Sequence, residues 1–224
     1  MSRAPVDSEQ LLAMVAHDMR APLRQLGLRL AMLQRRHAQS LGPEALADLQ
    51  AAREELKQGQ QLLEDMLAWA AGSPAETPAA CALCALGERA WASLAERVEQ
   101  RGARLTLDPA LSAVQARPSA VYRLLLNLLR NALEHGGDGV QVRVEAVGGG
   151  RSGFAVVDNG PGIAPARQAR IFAPFARGDV ARGVEGSGLG LAICERLAGE
   201  EGGHIRLDAE HQGGARFIVE LPAA

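Results

Sequence analysis

Apolar residues in the first third of the chain recur at alternating three- and four-residue steps: Leu12, Val15, Met19, Leu23, Leu26, Leu30 and Leu33. That spacing draws a narrow stripe along a helix and calls for a helical partner. The stripe stops after Leu41, where Gly42-Pro43 signals a turn. A second stripe follows through Leu46, Leu49, Leu56, Leu63, Met66 and Ala70. The pattern predicts a domain over residues 1–71 made of two long antiparallel helices. Residues 72–80, with Gly72-Ser73-Pro74 and Pro78, break all periodicity and read as a linker. One hairpin of this length buries only part of its apolar surface, and two would bury the rest as a four-helix bundle. A homodimer is therefore expected; the alternative is a hairpin packed on its own second domain.

From residue 81 to 224 the periodicity is mixed. A short strand is expected at 81–86, a helix at 87–101, a strand at 103–108 and an apolar helix at 118–135. Strands are expected at 139–147 and 153–158, a helix at 188–201, and a closing hairpin at 203–210 and 214–221. Between them, 160–186 is rich in Gly and Pro, long enough to be a functional loop or lid. The expected architecture is a two-layer α/β sandwich, helices stacked on one face of a mostly antiparallel sheet.

Composition narrows the classes. The chain has 224 residues, 47% hydrophobic and 22% charged, with a net charge of −2. This is an ordinary globular balance, and it gives no reason to expect a nucleic-acid partner. No run approaches the roughly 18 apolar residues needed to cross a bilayer, and the N-terminus lacks a secretory core. A cytoplasmic location is expected, including that of the cytoplasmic part of a membrane-anchored parent. Cys81 and Cys84 form a lone C-x-x-C, and with Cys194 they read as reduced packing residues.

The first helix contains a misfit, Pro22. An interior proline costs about 3 kcal/mol and frees the carbonyl four residues earlier, that of Asp18. One turn before Pro22 lies His17, two positions from both Val15 and Met19 and so turned away from the stripe. An outward histidine is commonly just solvated. Asp18 beside it could hold the proton of one ring nitrogen and raise the nucleophilicity of the other.

Three further patterns lie downstream. Asn127 and Asn131 are four apart on one helix, with His135 another turn along. Buried amides need partners, so the pair reads either as a polar-ligand or metal site or as solvated surface amides. Asp158 ends an apolar strand and is followed by Gly160-Pro161-Gly162; its carboxylate could accept a hydrogen bond from an exocyclic amine, although D-N-G is also a common turn. Gly186-Ser187-Gly188-Leu189-Gly190 opens a helix, where free N–H groups attract phosphate, but no Walker lysine follows.

Taken together these segments resemble a known family. His17-Asp18-Met19-Arg20-Ala21-Pro22-Leu23 is similar to the H-box of HisKA-type sensor histidine kinases. The paired Asn, the D-x-G-x-G and the G-x-G-x-G, in that order, resemble the N, G1 and G2 boxes of the Bergerat-type ATP-binding fold. Ile171-Phe172-Ala173-Pro174-Phe175-Ala176-Arg177 resembles the F-box of its lid. The resemblance implies an ATP- and Mg²⁺-dependent protein-histidine kinase in which His17 is the phosphoacceptor and Asp18 its base. It implies that Asn131 holds Mg²⁺, Asn127 contacts the phosphates, Asp158 binds the adenine amine and His135 lines the nucleotide. Gly160, Gly162, Gly186, Gly188 and Gly190 would frame the lid, with Arg177 neutralising the transferred phosphate. Implied partners are a second copy, the receiver domain of a response regulator, and an upstream sensor domain or protein. Two positions depart from the family. Ala21 stands where Thr or Asn often orients water for dephosphorylation, and Glu134 stands where Lys or Arg is common. Related ATPases of the gyrase and chaperone type share the nucleotide boxes without the His17 hairpin.

Overall fold

The computed structural model describes residues 8–38, 40–70, 76–148, 152–174 and 188–224, without the side chains of 8–13, 16 and 68–70. Two compact units are present. The first consists of α1 (Ser8–His37) and α2 (Pro43–Ala70), an antiparallel hairpin as the two stripes require. Its turn is closed by the His37 carbonyl, which accepts from the backbone N–H groups of Ser40 and Leu41 at 2.9 Å each. Helix α1 runs unbroken through Pro22. At Gly27 the helices approach so closely that a Cβ would lie 3.2 Å from Leu56 Cδ2. Leu23 and Leu30 are half-buried, while Val15, Met19, Leu26 and Leu33 of the same stripe remain exposed, as do Met14, Leu28 and Met32. Leu12 and Ala70, the other stripe ends, lie outside the described side chains.

The second unit is the α/β sandwich. Its elements are β1 (Ala79–Cys81), α3 (Leu83–Ala92), α4 (Ala95–Arg101), β2 (Arg104–Leu107), β3 (Val114–Ala116), α5 (Pro118–His135), β4 (Gln141–Ala146), β5 (Gly153–Asp158), α6 (Pro165–Gln168), α7 (Gly190–Glu200), β6 (His204–Leu207) and β7 (Arg216–Glu220). The main sheet has the order β2-β4-β5-β7-β6, antiparallel except for the β2–β4 pair. Strands β1 and β3 form a separate antiparallel ribbon. Helix α5 begins where Pro118 presets a helical φ, and Glu76 Oε2 accepts from the Ser119 N–H at 3.0 Å. Its side chains Leu124, Leu125, Leu128, Leu129 and Leu133 are buried where α5 lies against α7 and β5. β5, paired on both edges, is buried along its whole length.

Two predicted elements require correction. The segment 81–86 is a strand only to Cys81, and Leu83 already opens α3; a short apolar run carries no period that separates strand from helix. The single helix expected at 87–101 is broken at Ser93-Leu94. There the Ser93 hydroxyl donates to the Arg89 carbonyl at 3.0 Å, and Leu94 N–H reaches back only three residues, to Trp91. Strand β3 and the one-turn helix α6 were not expected.

Candidate active site

On α1, His17 and Asp18 are both surface residues, each with its side chain 75% exposed, so the imidazole is open to a reactant. His17 Nδ1 lies 3.4 Å from Asp18 Oδ1. A carboxylate can only accept, so a hydrogen bond between the two needs the ring proton on Nδ1, the tautomer whose Nε2 carries the lone pair. Pro22 follows one turn later, and exposed Ala21 offers only a methyl group.

The second constellation gathers at the C-terminal end of α5 and of β5. Asp158 is 7% exposed. Its Oδ1 accepts from the backbone N–H groups of Gly160 at 2.9 Å and Ala215 at 3.1 Å. Both donors converge on one oxygen, so Oδ2 has no hydrogen bond among the described residues. That leaves an acceptor suited to an amine. The loop that follows is pinned by glycines. A Cβ on Gly160 would stand 2.8 Å from the Gly136 Cα, so the strand end and the end of α5 meet backbone to backbone. Gly214 lies so close to Asp158 that a Cβ there would fall 1.7 Å from its carbonyl oxygen. Gly162 has a φ of +72°.

Asn127 is 9% exposed, and its Oδ1 accepts from Arg130 Nη2 at 3.0 Å. Asn131 is half-buried and has no hydrogen-bond partner among the described residues, so a carboxamide oxygen is available for a hard cation. Glu134 is engaged elsewhere: its Oε1 receives Arg97 Nη1 at 2.6 Å and lies 3.9 Å from Arg130 Nε. The departure noted at this position is therefore structural, a carboxylate serving arginines within the fold. His135 is exposed at its outer edge, yet burial of its inner side, and secondarily the charge of Arg167, push its pKa below the ordinary histidine value, while Asp158 pulls it up. The ring is accordingly neutral at pH 7. Helix α7 starts at Gly190, after Gly188 with a φ of +68°. Phe172 stacks edge-on against Phe217, centroids 6.4 Å apart, fixing the start of the F-box segment on β7. Arg177 and Gly186 lie outside the described residues.

Sequence reasoning passed over Arg130, Gly136, Arg167 and Gly214. Arg130 could have been found from its position, three residues after Asn127 and so on the same face. Gly136 and Gly214 acquire meaning only from what the fold brings against them. Among the described residues no group of three or more His, Cys, Asp or Glu side chains could hold a metal, and no helix is long and apolar enough to cross a membrane.

The fold and these two constellations define a protein with a helical hairpin carrying an exposed histidine, followed by an ATPase-type α/β sandwich. Residues 7–72 match the His Kinase A phospho-acceptor domain, and residues 116–224 match the histidine kinase-, DNA gyrase B- and HSP90-like ATPase. The chain carries both of these domains and matches the catalytic core of a sensor histidine kinase. The sensor histidine kinase CpxA of Escherichia coli K12 is 29% identical over 230 residues, covering 99% of this chain and 48% of CpxA. The alginate biosynthesis sensor protein KinB of Pseudomonas aeruginosa is 31% identical over 213 residues, covering 92% of this chain and 36% of KinB. The crystal structure of full-length ShkA in complex with AMPPNP matches with a TM-score of 0.69 at 29% identity, covering 97% of this chain and 46% of ShkA. The chain thus spans half or less of the length of these relatives.

Proposed function

We propose that this chain uses ATP to phosphorylate its own His17 and then passes the phosphoryl group to an aspartate in the receiver domain of a response regulator. The observation that carries this is the exposed His17–Asp18 pair, 3.4 Å apart, in a chain that also holds the Asp158 cleft. Support for the nucleotide comes from the chain's own polar groups. The unengaged Oδ2 of Asp158 receives the adenine amine, and Asn127 donates to the phosphates. The Asn131 oxygen is the ligand for magnesium, whose charge, when bound, offsets that of the phosphate oxygens. His135, neutral and at the edge of the cleft, lines the base. Gly160, Gly162, Gly186, Gly188 and Gly190 let backbone approach the nucleotide, and Arg177 supplies positive charge to the γ-phosphoryl.

Catalysis then follows from the imidazole. Asp18 holds the proton on Nδ1 and fixes the tautomer, so the Nε2 lone pair attacks phosphorus in line. The new N–P bond forms as the bond from phosphorus to the bridging oxygen breaks, and ADP leaves with that electron pair. Phosphohistidine donates its phosphoryl to a carboxylate in the second step. Ala21 can orient no water, which argues against phosphatase activity toward the regulator. The half-open α1 stripe supports a homodimer through paired hairpins, and an upstream sensor domain or protein would supply the signal. A cytoplasmic active core fits this chemistry.

His17→Gln tests the reading. With ATP and magnesium, the wild-type chain should acquire acid-labile, base-stable phosphate, located by mass spectrometry on His17. The variant should lose it while still binding nucleotide; undiminished labelling would overturn the assignment.

A further inference from the structure

Arg130 is a buried side chain beside Asn127 that the proposed mechanism does not use. It is 8% exposed, and a buried guanidinium that merely completed an amphipathic helix would cost several kcal/mol unless well paired. It is well paired: Glu134 Oε1 lies 3.9 Å from its Nε, and that same carboxylate oxygen takes Arg97 Nη1 from α4 at 2.6 Å. Toward the cleft, Arg130 Nη2 donates to Asn127 Oδ1 at 3.0 Å. The same nitrogen stands 3.6 Å from where a Cβ on Gly190 would lie, so the guanidinium sits between α5 and the first turn of α7.

The contact with Asn127 has a directional consequence. A carboxamide has one accepting end and one donating end, and the two are close to isosteric, so packing alone does not choose between its two orientations. A guanidinium has only donors, so the end facing it must be the oxygen. The NH₂ end is thereby turned away from Arg130. No hydrogen bond from Asn127 Nδ2 is found among the described residues, so this donor end is the one left for an acceptor. Phosphate oxygens are acceptors, and an asparagine in the opposite orientation would present an acceptor to them.

We propose that Arg130 is a positioning residue for nucleotide binding: anchored by Glu134 and Arg97, it locks the Asn127 carboxamide with its NH₂ turned toward the phosphates. The inference rests on the nucleotide reading given above. It also gives the acidic residue at 134 a task, since Glu134 holds the arginine that orients the amide instead of contacting phosphate itself.

A double-mutant cycle on the full chain separates this role from a structural one, with magnesium-ADP affinity as the readout. Asn127→Ala and Arg130→Met should each weaken binding by about 10-fold, the scale of one charge-assisted hydrogen bond. The double variant should bind no more weakly than Asn127→Ala alone, because Arg130 acts only through that amide. Arg130→Lys, which keeps a donor and a charge, should recover part of the loss and guards against a failure of Arg130→Met to fold. Losses that multiply in the double variant overturn the relay and leave the nucleotide site standing. An Asn127→Ala chain that binds magnesium-ADP as well as wild type overturns the relay and the phosphate role of Asn127 together.

Discussion

At the scale of the residue, the cleft is organised by which atoms are already spoken for. Asp158 spends one oxygen on two backbone N–H groups and keeps the other. Asp158→Asn preserves the shape but removes the charge, and an amide NH₂ placed at the free position would meet the adenine amine donor to donor. Its nucleotide affinity, measured by titration calorimetry, should fall at least ~100-fold, the order expected when a charged hydrogen bond is replaced by an unpaired group; retained affinity would refute the adenine role. Asp158 was legible as a candidate because an acid closing an apolar strand before Gly-x-Gly leaves a carboxylate where a ligand can reach it; the sequence offered a plain turn equally, and Oδ1 does bind the Gly160 N–H. Arg130 was not. A lone arginine in an amphipathic helix reads as a solvated charge, and only packing against α7 and pairing with Glu134 reveal it as buried. Glu134 was legible as a departure, and Arg97, 37 residues earlier, was needed to explain it.

At the scale of the element, α5 carries Asn127, Asn131 and His135, and α7 opens at Gly190, so the mutual position of the two helices matters to the proposed site. Arg117 joins them. Its backbone N–H donates to Glu201 Oε2 at 2.8 Å, its Nε to Glu201 Oε1, and its Nη2 to Glu200 Oε2 at 3.1 Å, tying the start of α5 to the end of α7. These hydrogen bonds, that with Glu201 foremost, raise the pKa of Arg117 further. The Glu201 side chain is 2% exposed. Glu201→Ala leaves the Arg117 guanidinium with Glu200 alone and takes the acceptor from its backbone N–H, and should destabilise the sandwich by about 2 kcal/mol, read as a lower midpoint in denaturant unfolding. A change below ~0.5 kcal/mol would show the pair to be dispensable. The boundaries of α5 were readable because Pro118 and the long apolar face point the same way. The α3–α4 region misled because its break depends on a serine hydroxyl bonding back to a carbonyl, a choice that composition does not announce.

At the scale of the whole molecule, the first helical stripe is split between two duties. Leu23 and Leu30 turn toward α2, whereas Leu26 stays 46% exposed and Leu33 48% exposed. A contiguous apolar row left open in this way marks an interaction face. With a second hairpin against it, Leu26→Glu should bury a charge at the seam and convert the dimer to monomer in sedimentation at micromolar concentration. A dimer of wild-type stability in that variant would place the interface elsewhere. The hairpin-plus-sandwich plan was visible from periodicity because the change from a helical to a mixed pattern falls at a Gly- and Pro-rich break. The stripe's division was not, since neighbouring heptad positions look alike until one partner helix claims half of them.

The two N–H groups focused on one oxygen of Asp158 also sort purines in the proposed cleft. The oxygen left over can only accept, and guanine would turn a carbonyl toward it where adenine turns an amine. Two acceptors facing each other repel, and neither carries a proton to share. On the proposed adenine role, the fuel would be chosen at the base, before any phosphate is touched, and a mixture of ATP and GTP should drive this chain through ATP alone.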